Sequence, residues 1–513
     1  MKIIVIIEYF VNLILLLIFS MHMFQLNSYL FKKHMSWMKK NISKHILQMT
    51  LVLIPGVMLC FNNIVLSVIS AVILAFSIIY NIPKTKSKIS LKCTPRVIRM
   101  FVTEILIIVV LFLVLGVKNY VLEKLIILNV ISCFLCIFAN VINKPEEKLV
   151  KKKYINEAKK ILNGMPNLIV IGVTGSYGKT SVKNFLYKVL SSKYEVLKTP
   201  KNYNTTMGVV KTIRENLKAT HQIFICEMGA THVGDIKEIC DIVNPKLGII
   251  TSIGPQHLES FGSIDNVIKT KFELADSVIK NGGTVFLNYD NEYILNKKIE
   301  GKKITYGINN KNLDYNAYDL SSSSKGLSFK TLNKKKEEFE FKTKLIGNHN
   351  VANILAAISV ADYLGVDMKK TISKVREIES VEHRLQLIPH GDLSIIDDSY
   401  NSNPISSKAA IDTLGQFEGT KIVVTPGLIE LGGEEEKYNF ELGEYATKVC
   451  DYIILVGQRH SKPIFDGIKS TKFDMNKVFV VSSPQEAMEK IGTLKISGKV
   501  TVLLENDLPD NYN

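Results

Sequence analysis

The residues with the clearest chemistry lie in the stretch Leu168 to Leu190, LIVIGVTGSYGKTSVKNFLYKVL. Lys179 and Thr180 follow a glycine-rich turn, Gly175-Ser176-Tyr177-Gly178, and Ser181 comes next. An ammonium and a hydroxyl placed this way suit a nucleoside triphosphate. The lysine would reach the outer phosphates, the hydroxyl would ligate magnesium, and the backbone N–H groups of the turn would cradle the oxyanions. The spacing is not the literal G-x-x-x-x-G-K-[ST], because Val173 stands where the first glycine belongs. Glu227, in the motif CEMGA, is placed to be a magnesium-binding carboxylate, and His257 lies in the loop TSIGPQHLESFGS. Lys271 falls on the same helical stripe as Ile264, Ile268, Ala275 and Val278, where an apolar residue is expected. It either snorkels or has a chemical task. A desolvated lysine is readily neutral, and only the neutral amine reacts with carbon dioxide to give a carbamate, an anion able to ligate magnesium.

These residues need a sheet to hold them. The apolar run 168–173 reads as a buried parallel strand, and Val182, Phe185, Leu186, Val189 and Leu190 predict a helix starting near Thr180. Further strands are expected at Gln222–Cys226, Leu247–Thr251 and Gly283–Leu287, with helices between them. Glu227 and His257 then reach the carboxyl edge of a largely parallel sheet. Residues 301–345 read as a small antiparallel region and Val351–Leu364 as a helix. After a break near Pro389, strands at Ser394–Ile396, Ile422–Thr425, Tyr452–Val456, Val478–Val481 and Val500–Leu504 predict a separate Rossmann-like domain.

The first 145 residues are of another kind. Apolar segments at roughly 3–20, 46–61, 64–80, 101–116 and 121–142 approach spanning length, the second short and holding Pro55, so that it could be re-entrant. Lysines 32, 33, 39, 40 and 44 separate the first two. Lys84, Lys86, Lys88, Lys92, Arg96 and Arg99 separate the third from the fourth, and Lys148 and Lys151–Lys153 follow the fifth. The alternate loops, at Asn62-Asn63 and around Lys118, are nearly uncharged. This alternation predicts an outside N-terminus and a cytoplasmic chain after residue 145, a multi-pass protein of the cell membrane. Glu8 is either an intramembrane carboxylate with a function or a snorkelling one. Residues 145–165 read as a charged helical connector. The formal charge of +16 thus belongs to membrane-flanking loops, and no aromatic-basic interleaving points to nucleic acid. The seven cysteines are scattered, and Cys133-x-x-Cys136 sits in an apolar run as core filling.

From Leu168 to about 460 the chain resembles the Mur ligases of peptidoglycan synthesis. The resemblance is carried by GVTGSYGKTSVK, NYNTTMGV, CEMGA, TSIGPQHLESFGS, TKFELAD, GNHNVANILAAISVA, HRLQ, IIDDSYNSNPISSKAA and GLIELGGEE, in the family's order. It implies an α/β fold with a P-loop ATP-binding domain at 146–388 and a Rossmann-like domain at 389–513, after the transmembrane block read above at 1–145. By the same resemblance Gly175, Ser176, Gly178, Lys179, Thr180, Ser181, Asn353, Arg384 and Asp398 would hold ATP, with Asn353 at the adenine. Thr180, Glu227, His257 and a carbamylated Lys271 would hold two magnesium ions, and Lys179, His257 and Lys271 would act in catalysis. The implied reaction joins an amino acid or a dipeptide such as D-alanyl-D-alanine to a muramoyl-peptide-like acceptor, UDP- or lipid-linked, through an acyl phosphate. A membrane protein partner is a further expectation. Two stretches depart from the family. The membrane block stands where a UDP-sugar domain is usual, and the chain ends LLENDLPDNYN without a glycine-serine-arginine turn. Three rivals remain. The block DDSYNSNP argues against a membrane-bound poly-γ-glutamate synthase, and a missing four-cysteine set argues against an amidotransferase-type relative. Retention of Lys179, Thr180, Glu227, His257 and Lys271 together argues against an inactive membrane scaffold.

Overall fold

The structure, a computed structural model, describes residues 2–61, 63–82, 90–114, 120–400, 402–457, 461–494 and 496–507. Asn62, Lys84, Lys86, Lys88 and Lys118, on which part of the loop-charge argument rests, lie outside the described residues, as does most of the C-terminal tail. The chain divides into two compact units, with the boundary between Lys153 and Tyr154.

The N-terminal unit is helical: α1 (Lys2–Leu26), α2 (Phe31–Lys40), α3 (Ile42–Leu59), α4 (Ile64–Asn81), α5 (Pro95–Val114) and α6 (Val121–Asn163). Five of these helices, all but α2, are long and apolar enough to cross a membrane. Their apolar residues divide. Val5, Tyr9, Leu13, Val52, Leu74 and Leu128 pack inward, whereas Ile7, Ile54, Val72, Ile105 and Phe138 face outward. Polar side chains join the helices where the interior cannot hydrate them. Asn12 Nδ2 donates to Asn129 Oδ1 at 3.1 Å, while Asn12 Oδ1 accepts from Ser77 Oγ at 3.2 Å and Asn81 Nδ2 at 3.0 Å. Pro55 lies inside α3, which is continuous through it and shows no re-entrant break. The charged stretch after residue 145 is helical, as expected of a connector between the two units. It continues the fifth apolar segment as one 43-residue helix, α6.

The second unit contains two sheets. The first has strands β1 (Ile169–Thr174), β2 (Val196–Lys198), β3 (Ile223–Glu227), β4 (Leu247–Ile250), β5 (Thr284–Asn288), β6 (Lys303–Ile308), β7 (Tyr315–Ser323), β8 (Gly326–Leu332) and β9 (Glu338–Thr343), in the order 2-3-1-4-5-6-7-8-9. Pairing is parallel from β2 to β7 and antiparallel from β7 to β9. Residues 301–345 are therefore not a small separate antiparallel region. They extend the same sheet, because β6 pairs in parallel with β5. Alternation along the strands sends Ile171, Val173, Ile223 and Ile225 to one core, under α7 (Lys179–Leu190) and the helix His349–Tyr363. Val170, Phe224 and Cys226 go to the other core, under the helices Asp235–Val243 and Ile264–Lys280. Both faces are covered, which is why these strands read as unbroken apolar runs.

The second sheet has β10 (Gln386–His390), β11 (Leu393–Asp398), β12 (Thr420–Thr425), β13 (Tyr452–Val456), β14 (Val478–Val481) and β15 (Val500–Glu505), in the order 10-11-15-12-13-14. Strand β10 runs antiparallel to β11 through Pro389, so no break occurs at that residue and a domain boundary after residue 388 would cut a strand. Proline is tolerated there because β10 is an edge strand, where a missing N–H leaves no partner unsatisfied.

Candidate active site

The glycine turn sits between the end of β1 and the start of α7, and two glycines fix its shape. Gly175 has φ +154°, and a Cβ on it would lie 2.0 Å from Thr251 Oγ1; Gly178 has φ +81°, and a Cβ on it would lie 2.6 Å from Asn353 Oδ1. Only glycine meets both demands. The turn is tied to the loop after β4. Ser176 N–H donates to the Ser252 carbonyl at 2.7 Å, Ser176 Oγ pairs with the Gly254 backbone at 3.0 Å, and the Tyr177 carbonyl accepts from Ser252 Oγ at 2.9 Å. Thr180 and Ser181 occupy the first turn of α7, whose positive end faces the loop. Lys179 folds back over it, donating to the Gly175 carbonyl at 2.6 Å and the Ser176 carbonyl at 3.2 Å.

Charges of both signs meet here. Lys179 is half-buried by area, yet burial still pushes its ammonium down to about 8; Glu227 opposes that change and the Arg384 guanidinium adds to it. Lys271 is 1 % exposed, on the helix Ile264–Lys280 that Ser263 caps through the Asn266 N–H at 3.3 Å. Burial, with the neighbouring Lys179 charge in second place, holds its amine well below the usual lysine range. Lys179 thus acts on Lys271 and feels Arg384, and Asp235 and Glu273 partly offset the shift at Lys271.

Glu227 is the acid of the site and is almost fully enclosed. Its Oε1 accepts from Thr180 Oγ1 at 3.2 Å and Asn204 Nδ2 at 3.1 Å, and the Lys183 ammonium lies 2.8 Å from Oε2. Burial opposes its charge, but Lys183, Lys179 and Asn204 outweigh that and keep the carboxyl below its ordinary value. Lys183 meets one side of Oε2, and a carboxylate oxygen has a second lone pair to offer. A divalent cation suits that oxygen, next to the Thr180 hydroxyl. Among the described residues no three of His, Cys, Asp and Glu come together as a metal cluster. The expected ligand set has only two such residues, Glu227 and His257, and it needs Thr180 and a carbamate on Lys271 to be complete.

The remaining expected residues come from other elements of the same unit. His257 has φ +52° and its Nδ1 lies 2.5 Å from Glu430 Oε2, a contact from the first sheet's loops to the second's. Asn353, on the helix His349–Tyr363, lies against Gly178, which places it beside the phosphate turn. Arg384 stacks 4.4 Å from the centre of the Tyr400 ring. Asp398 ends β11, accepts from the Leu385 N–H at 3.1 Å and is pushed up to about 7 by burial, against the pull of Arg384. Its register partner Glu505 is buried and accepts from Ser407 at 2.5 Å, from Thr425 at 2.7 Å and from Ser402. Lys183, Asn204, Glu430 and Glu505 were not singled out from sequence. Lys183 and Asn204 stand in the quoted motifs GVTGSYGKTSVK and NYNTTMGV, but their pairing with Glu227 is a tertiary fact.

Comparison with known proteins agrees with this geometry. Residues 173–361 match the Mur ligase middle domain, and residues 383–504 match the family "Mur ligase, glutamate ligase domain". The chain is 34% identical over 277 residues to a UDP-N-acetylmuramoyl-tripeptide–D-alanyl-D-alanine ligase of Bacillus subtilis, covering 53% of this chain and 59% of that protein. It is 29% identical over 342 residues to the ligase of the same name from Escherichia coli, covering 66% of this chain and 75% of that protein. Among solved structures it is similar to MurF from Acinetobacter baumannii (TM-score 0.63, 25% identity, 70% of this chain and 77% of that one). It is also similar to MurF from Thermotoga maritima in complex with ADP (TM-score 0.61, 26% identity, 69% and 80%). The chain belongs to the Mur ligase family, with that family's middle and C-terminal domains following a block of five long apolar helices.

Proposed function

We propose that the protein is a membrane-anchored, ATP-dependent carboxylate–amine ligase acting on a peptide-bearing cell-wall precursor. The observation that carries this reading is the chamber of Lys179, Lys271 and Arg384 beside a glycine turn. Lys179 lies near Glu227, which Lys183 pairs, and near Arg384, while the buried Lys271 is held towards the neutral amine that a carbamate requires. A lysine over a glycine turn at the start of a helix attracts anions, and ATP and a carboxylate acceptor are anions. An oxygen of the acceptor's carboxylate attacks the γ-phosphorus of ATP, the bond to the β-phosphate oxygen breaks, and ADP leaves behind an acyl phosphate. The amine of an amino acid or a dipeptide such as D-alanyl-D-alanine then attacks the acyl carbon. Inorganic phosphate departs with the bonding pair, the amine loses its proton, and the amide forms.

Lys179 would move from the Gly175 and Ser176 carbonyls to the phosphates, and the N–H groups of the turn and of α7 would bind the transferring oxygens. Magnesium, when bound at Thr180, Glu227 and His257 with the Lys271 carbamate, would offset the charge on the phosphoryl group. His257, held by Glu430, joins the loops of the two sheets, so their approach would complete the site and exclude water from the acyl phosphate.

Five helices of spanning length and the basic loops beside them support a multi-pass protein with its ligase domains in the cytoplasm, where ATP is available. They also support a lipid-linked acceptor, since confinement to one bilayer raises effective concentration without tight headgroup contacts. Full-length protein supplied with ATP, magnesium and D-alanyl-D-alanine should extend a lipid-linked muramoyl peptide faster than its UDP-linked counterpart, as read by product mass spectrometry. Equal rates on both would remove the lipid-linked part of this proposal.

A further inference from the structure

Between Glu8 and Glu104 the chain carries no Asp or Glu, but it does carry eleven basic residues: lysines 32, 33, 39, 40, 44, 84, 86, 88 and 92, with Arg96 and Arg99. Five of the lysines lie on α2 and the first turn of α3. There a small open cleft lies between α1, α2, α3 and α6, lined among others by Phe19, Trp37, His45, Gln48, Asn129 and Ser132.

Most polar groups in this cleft are already occupied. Gln48 Nε2 donates to Asn81 Oδ1 at 2.9 Å, Asn129 Nδ2 to the carbonyls of Tyr9 and Leu125, and Ser132 Oγ to the Asn129 carbonyl. His45 is the exception. It is 9 % exposed, its ring meets Trp37 edge-on at 5.3 Å, and its Nε2 has no hydrogen-bond partner among the described residues. A buried ring nitrogen without a partner is costly unless something binds it. Its surroundings select the sign of that partner. Lys44 Nζ lies 4.7 Å from the centre of the Phe19 ring on the cleft wall. The positive end of α3 is also here, with no side-chain oxygen capping it, because the Asn41 amide turns back to the Trp37 carbonyl. Elsewhere on α3, Ile46, Leu53 and Ile54 are exposed and apolar.

We propose that this cleft binds the phosphate group of a membrane lipid, with His45 donating to it and Lys44 offsetting its charge. The proposal concerns the helical unit alone and stands whether or not the ligase acceptor is lipid-linked. A phospholipid and a polyprenyl phosphate offer the same group, and they can be told apart by titration. Full-length protein in neutral detergent, titrated by native mass spectrometry with a polyprenyl monophosphate, phosphatidylglycerol, phosphatidylcholine and inorganic phosphate, should bind one lipid phosphate per chain. The tighter of the first two identifies the source, and both should exceed phosphatidylcholine. His45→Phe keeps a ring against Trp37 and leaves every lysine in place, yet should weaken binding about tenfold, the effect of one hydrogen bond to a charged group. Lys44→Gln should weaken it comparably and Lys92→Gln, away from the cleft, should not. Ser132→Leu, which fills the cleft from α6, is a second neutral variant, and size-exclusion profiles establish that each variant folds. Unchanged affinity in His45→Phe and Ser132→Leu, equal losses from Lys44→Gln and Lys92→Gln, or inorganic phosphate binding as tightly as the lipids would each overturn the proposal.

Discussion

The two units bury polar groups in opposite ways. In the ligase unit the buried groups carry charge and are gathered at one sheet edge: Lys271, Lys183 and Glu227 are each at most 2 % exposed, and Lys179 folds over the turn beside them. In the helical unit the interior groups are mostly neutral amides and hydroxyls that satisfy one another, as Asn12, Asn81, Gln48 and Asn129 do, and the buried Glu104 and Lys124 are the exceptions. The difference follows from cost. A buried amide is repaid by one good partner, whereas a buried charge is repaid only by an opposite charge or a ligand that brings one. Neutral networks therefore mark where helices are fastened together, and buried charged groups gathered at a sheet edge mark where a charged ligand is to be received.

The largest effect that would break this contrast lies at Lys179. Lys179→Ala should lower turnover by about a thousandfold, the upper range for loss of one group acting on transition-state charge, while the thermal unfolding midpoint stays near that of the wild type. Wild-type-like turnover would show that the chamber does not serve phosphate. Lys271→Ala should come next, with a loss of about a hundredfold and partial recovery when a short carboxylic acid is added to the medium. Recovery would separate a missing anionic ligand from a merely damaged core. Failure of rescue, together with a plain amine in the mass of an active wild-type protein, would dismiss the carbamate.

A smaller effect concerns pH. The Lys179 ammonium is pushed down to about 8 in the ligand-free protein, so it sheds its proton above that pH, and nucleotide affinity should then fall, by at most about tenfold per pH unit. The sign for stability is opposite. Between about 8 and the ordinary lysine value of 10.5 the unfolded chain holds a proton that the folded one has lost, so stability rises with pH in that window. Titration of a nucleotide by calorimetry from pH 7 to 9 checks the first statement, and Lys179→Ala should flatten the profile. The smallest effect belongs to the neutral network. Asn81→Leu removes the donor to Asn12 and the acceptor of Gln48, and should destabilise the helical unit by about 1 kcal/mol. Nucleotide affinity should be unaffected. A large loss of nucleotide affinity in that variant would mean that the two units do not bury polar groups for separate purposes.

Much of this was legible in the sequence because the signals were local. The strand before Gly175 and the helix after it read directly from apolar runs and spacing, as did the misplaced cation at Lys271 on its apolar stripe. What was hidden depended on distant pairing. Strand β10 was masked by Pro389, whose effect depends on being at an edge, and β6–β9 looked separate because their polar faces conceal continuity with β5. Helix α2 escaped notice because four of its ten residues are lysine, so its apolar face shows only once Trp37 and His34 are seen buried. The pairing of Lys183 with Glu227 spans 44 positions and that of His257 with Glu430 spans 173, separations over which no periodicity speaks.

The central claim is that the anion chamber couples ATP cleavage to amide formation, and product stoichiometry tests it most directly. Full-length protein incubated with ATP, magnesium, a muramoyl-peptide acceptor and D-alanyl-D-alanine should yield ADP, inorganic phosphate and the extended peptide in equal amounts. Leaving out the acceptor should stop ADP release. ADP formed without the acceptor, or an acceptor left unextended while ATP is consumed, would contradict the account.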